Sequence, residues 1–79
     1  MNLERAAELT LEAVFKQPCS ARRSETGEGA NHACWMLEGI REGYIQHEKA
    51  HRWLGYAQGL LVSHGMLTLD EAKSINQRA

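Results

Sequence analysis

The stretch Asn31–His64, NHACWMLEGIREGYIQHEKAHRWLGYAQGLLVSH, constrains the fold more than any other part of the 79-residue chain. Its apolar residues recur at three- and four-residue intervals almost throughout, the period of an α-helix with one buried face. It also carries four of the seven glycines, spaced as Gly39/Gly43 and Gly55/Gly59. Glycines four apart share a helix face and leave a shallow groove that a neighbouring backbone can enter. Each glycine inside a helix costs roughly 0.8–1 kcal/mol relative to alanine, so four of them point to a close approach that uses the space. The two pairs mirror each other about Lys49. Two arrangements satisfy that mirror. In one, the chain turns near Gln46–Lys49 into an antiparallel hairpin, with Gly39 facing Gly59 and Gly43 facing Gly55. In the other, one continuous helix meets a second copy across a two-fold axis near Lys49, an isologous contact. A helix from His32 to Ser63 would be about 48 Å long, which favours the hairpin in so short a chain.

A chain of this length makes one domain and buries only about 60% of its unfolded surface. Thin cores of that kind are commonly completed by self-association, metal or disulfides. A homodimer is therefore expected, with Gly39, Gly43, Gly55, Gln58 and Gly59 as its packing seam. The formal net charge of −1 gives no general attraction to nucleic acid or to an anionic membrane. Cys19 and Cys34 alone make no disulfide framework, and no apolar run is long enough to span a bilayer. The N-terminus also lacks the apolar core of a signal peptide. These features predict a cytoplasmic protein with free thiols, Cys34 in the core and Cys19 in a loop.

The rest of the chain reads as helices around that stretch. Asn2 is placed to cap a first helix over residues 3–16, with Leu3, Ala7, Leu11, Val14 and Phe15 as its buried stripe. Pro18 ends the pattern. Residues 17–31 have loop chemistry, and a loop of such length is usually functional or disordered. Arg22 and Arg23 there are candidate contacts to a partner. Asn31 is placed to cap the next helix, whose stripe is Ala33, Met36, Leu37, Ile40 and Tyr44, with Trp35 off its centre. Ala50, Trp53, Leu54, Ala57, Leu60 and Leu61 form the stripe of the second arm, so the helical hairpin covers residues 32–64. Gln58 borders it and could hydrogen-bond across a seam. Gly65 fits a helix C-cap. Thr68-Leu-Asp-Glu71 is a capping box opening a short helix over 69–77, with Leu69, Ala72 and Ile75 inward. The fold class is all-α: a small hairpin or bundle of three to four helices.

The one catalytic-looking motif is His47-Glu-Lys-Ala-His51, which fits the zinc-protease spacing of two histidines one turn apart. A catalytic zinc needs a third protein ligand, and neither His32 nor His64 stands at a set spacing from the pair. Lys49 adds a positive charge between the ligands. His47 and His51 are thus at most a metal-binding pair, and otherwise two exposed histidines. No cysteine has a readable base, and Gly27-Glu-Gly29 lacks the strand and lysine of a phosphate loop. The short C-terminal helix would present Asp70 and Glu71 to DNA, which repel phosphate. Lys49, Arg52, Trp53 and Tyr56 could hold a small nucleotide by charge and stacking. No enzymatic activity and no cofactor is expected.

The segment Lys49-Ala-His-Arg-Trp-Leu-Gly-Tyr-Ala-Gln-Gly59, followed by Leu67-Thr-Leu-Asp-Glu-Ala-Lys73, resembles small helical proteins encoded by tailed phages and prophages. The resemblance covers the C-terminal half. It implies a non-enzymatic accessory protein that binds and disables a host defence or regulatory protein, or one that sequesters a signalling nucleotide. Arg22, Arg23, Trp35, Lys49, Arg52 and Tyr56 are the residues expected to meet such a partner.

Overall fold

The computed structural model describes residues 1–15 and 29–79. They form four helices: α1 Leu3–Phe15, α2 Ala30–Arg41, α3 His47–Ser63 and α4 Leu69–Arg78. The described chain is all-α. Most of the expected loop, together with Cys19, Arg22 and Arg23, lies outside the described residues.

The helix ends follow from local chemistry. Asn2 caps α1, its side-chain oxygen accepting from the Arg5 N–H at 3.0 Å. Thr68 and Glu71 form the reciprocal capping box of α4, at 3.0 and 2.9 Å. At α2 the expectation changes: Gly29 is the N-cap, and Asn31 lies within the first turn of the helix. The continuous long helix is not formed. The chain breaks between Arg41 and His47, a few residues before the expected turn. Gly43 causes the break, because its φ of +78° is a conformation that other residues reach only under strain. Its N–H donates to Ile40 O and the Tyr44 N–H to Gly39 O, a Schellman motif. Gly65, at φ +72°, does the same at the end of α3: its N–H donates to Val62 O and the Met66 N–H to Leu61 O. After each glycine come two apolar residues and then the next N-cap, Gln46 or Thr68. The α2–α3 and α3–α4 connections are thus two copies of one joint.

α2 and α3 pack as a hairpin, and α1 lies against α2, α3 and α4. The core is Leu3, Ala6, Ala7, Leu11 and Val14 from α1, Ala33, Cys34, Met36, Leu37 and Ile40 from α2, and Ala50, Leu54, Ala57 and Leu61 from α3. Leu67, Ala72 and Ile75 close it. Of the expected core residues, Trp53 and Leu60 are half-buried against it and three are exposed. Tyr44 is 81% exposed because it follows the Schellman glycine, beyond the helix stripe it was assigned to. Leu69 is 60% and Phe15 51% exposed, each at the end of its helix.

One polar cluster crosses the interior. Gln58 Nε2 donates to Thr10 Oγ1 at 3.1 Å and to Asn76 Oδ1 at 2.9 Å. Asn76 Nδ2 donates back to Gln58 Oε1 at 3.0 Å, and the Thr10 hydroxyl donates to Ala6 O at 2.7 Å. Gln58 therefore bonds to α1 and α4, and the hairpin seam with α2 is not where it acts. Thr10 and Gln58 are buried, and no buried side-chain nitrogen or oxygen among the described residues lacks a partner. Replacing Gln58 by leucine keeps the volume but strands buried polar atoms, which costs about 1–3 kcal/mol. Urea unfolding of Gln58→Leu should show that loss; an unchanged midpoint would remove the cluster from the stability of the bundle.

Candidate functional site

The α2–α3 joint shapes a surface groove. Trp35 projects from α2 and Trp53 from α3, both half-buried against the core. Their ring centroids are 5.6 Å apart with planes tilted by 38°. His32 stacks on Trp35 at 5.7 Å, and Lys49 Nζ sits 5.0 Å from the Trp53 ring centroid. Offset and tilted rings of this kind attract through their quadrupoles, and a cation over a ring face is favoured. The result is a ladder from α2 to α3: imidazole, indole, indole, ammonium. Beside it Gly39, Ile45 and Tyr44 complete an open groove of about 320 Å³, with Glu38 and Glu42 also in its lining. Gly39 matters here because a Cβ at that position would already stand 3.6 Å from Ile45 and 3.9 Å from Trp53. A larger side chain would fill the groove.

The residues expected to meet a partner divide. Trp35 and Lys49 come together at this ladder. Arg52 and Tyr56 are exposed on α3 outside the groove lining. Arg22 and Arg23 lie outside the described residues. His47 and His51 are exposed, with ring centroids 5.0 Å apart and planes nearly perpendicular. Among the described residues no group of three or more metal-ligating side chains occurs. Cys34 is fully buried in the core. Sequence periodicity placed Trp53 in the core and assigned Ile45 and Tyr44 no joint role. The signal that marks them is the Gly43-Tyr-Ile-Gln46 joint, which places both residues in the groove lining.

The glycines do not form the expected face-to-face seam of the hairpin. Gly43 belongs to the joint, and Gly39 meets Ile45 and Trp53. Gly55 and Gly59 are exposed, with nothing within 4 Å of an added Cβ. They border a second groove of about 340 Å³ between α3 and α4, with Val62, Leu69 and Ala72. None of the described elements uses the space these two glycines leave.

No family model, no curated protein and no solved structure matches this chain. No helix among the described residues is long and apolar enough to cross a membrane.

The glycines give a paired test. Gly43→Ala should destabilise the fold by about 1–2 kcal/mol through its positive φ. Gly59→Ala should stabilise it by up to about 1 kcal/mol through helix propensity. Urea unfolding at low protein concentration checks both. Equal losses at the two positions would restore the glycine seam within the chain.

Proposed function

We propose that this chain is a non-enzymatic protein-binding module that uses the groove between α2 and α3. The observation that carries the reading is the clustering of both tryptophans, Ile45 and the 81% exposed Tyr44 on one surface. Aromatic anchors in a shallow apolar groove are the usual hot spots of protein recognition. The resemblance of residues 49–59 and 67–73 to phage and prophage accessory proteins supports the biology: a host defence or regulatory protein as the target, bound and inhibited. Sequestration of a nucleotide by Lys49, Arg52, Trp53 and Tyr56 has less support, because the groove is lined by two carboxylates and Lys49 already occupies the Trp53 ring.

The test is native mass spectrometry of tagged protein recovered gently from a bacterial lysate, for the parent chain and for Tyr44→Ala and Gly39→Leu. The parent should carry the mass of a host protein, and both variants should lose it while keeping their helical spectrum. Integer multiples of 8.9 kDa alone would overturn the host-partner reading. An added nucleotide mass would move the function to sequestration, and an added zinc mass to His47 and His51.

Self-association is a second reading, and the open Gly55/Gly59 face favours it. Two interior glycines with unused space beside a 60% exposed Leu69 suit close packing against another copy. Sedimentation should show a dimer that Gly59→Leu converts to a folded monomer. A monomeric parent at high concentration would end this reading.

A further inference from the structure

We infer that His47 and His51 form a binding site for a divalent transition metal of the zinc, nickel and copper class. This goes beyond the protein-binding reading and does not rest on it. Neither histidine lines the α2–α3 groove, so one chain can hold both a partner and a metal. His47 is the first residue of α3 and His51 follows four residues later, which puts both side chains on one helix face, one turn apart. Both are exposed. Their spacing meets the requirement of a chelate. A metal–nitrogen bond of about 2.0–2.1 Å, extended by about 1.1 Å to the ring centre, puts two imidazoles on one tetrahedral ion with centroids about 5 Å apart. The observed separation is 5.0 Å. Metal bonds fix where each nitrogen points and leave the ring free to twist about that bond, so planes at 85° are compatible with them. The broad χ2 wells of histidine let exposed rings aim their nitrogens at little cost.

The surroundings remove an objection that the sequence raises. Lys49 stands between the two histidines in the chain, but its Nζ lies 5.0 Å from the centroid of Trp53, the ring that meets Trp35 on α2. The ammonium is thus drawn to the aromatic ladder rather than to the histidine face. Among the described residues neither imidazole has a hydrogen-bond or ion-pair partner that a metal would have to displace. Glu48 lies in the same turn, and Glu4 lines a cavity of about 400 Å³ together with His47, so this side of the molecule also carries carboxylates. Imidazole nitrogen suits zinc, nickel and copper, whereas magnesium and calcium take oxygen ligands. No group of three or more ligating side chains occurs among the described residues, so water completes the coordination. The site is an open one, held by two protein ligands.

The experiment titrates Zn²⁺ alone into the full chain, without a histidine tag or chelator, by calorimetry and by NMR of the imidazole nitrogens. One Zn²⁺ should bind per chain, Cu²⁺ should bind more tightly, and Mg²⁺ should not bind. The signals of His47 and His51 should move together, and those of His32 and His64 should stay. His47→Gln and His51→Gln should each weaken Zn²⁺ binding by about tenfold or more while circular dichroism stays helical. His64→Gln, beyond the far end of α3, should leave the affinity unchanged. No binding by the parent chain overturns the inference. So does binding that survives either of the first two substitutions, or that moves the other imidazoles instead.

Discussion

The buried amide of Gln58 sets the geometry of the bundle. A polar group taken out of water costs more than its hydrogen bonds return unless every donor and acceptor is met. Gln58 is met only when α3 is rotated so that its side chain reaches both Thr10 on α1 and Asn76 on α4. That rotation decides what every other face of α3 does. Trp53, on the other side of the apolar stripe, is directed to α2. Gly55 and Gly59 fall on the flank beside α4. α4 adds only Ala72 and Ile75 to the core and is also tied at its end, where the Asn2 N–H donates to Ala79 O at 2.8 Å. Oily contacts alone would permit α4 to roll or slide on α1; reciprocal amide bonds allow one register.

With α3 fixed, the aromatic surface follows from the hairpin. Trp35 and Trp53 are neighbours because the joint at Gly43 brings the start of α3 back along α2. The rings satisfy each other's faces in part, with His32 on one side and Lys49 on the other. What stays open is a shallow surface that includes Ile45 and the 81% exposed Tyr44. Such a shape lacks the enclosure that a small molecule needs to bury most of its area.

Much of this organisation was legible in the sequence. Thr68 and Glu71, three apart before an apolar run, announce α4, and Leu3, Ala7, Leu11 and Val14 announce the buried face of α1. Gly65 reads correctly as a cap because His64 ends a clean stripe. Gly43 does not, since a glycine four residues after Gly39 looks the same whether it packs against a neighbour or ends the helix. The repeated pattern Gly-Tyr-Ile-Gln and Gly-Met-Leu-Thr distinguishes the two uses, and it becomes visible only when both joints are compared. The groove was less legible still. Trp35, Ile45 and Trp53 come from α2, its joint and α3, and no single periodicity contains all three. Likewise Gln58 announces a polar contact, but nothing local says that its partners lie 48 and 18 residues away.

The repeated joint also bears on how the chain reaches this state. Each reversal is closed by backbone bonds between residues no more than five apart, and α2 and α3 pair through contacts close in sequence. Bringing α1 onto them requires closing a much longer stretch of chain, at a larger entropic cost. The bond from Gln58 to Thr10, 48 residues apart, carries that larger closure cost, whereas the hairpin does not. Every described residue of the aromatic groove belongs to that hairpin, so its surface is built from contacts close in sequence and owes nothing to the long closure.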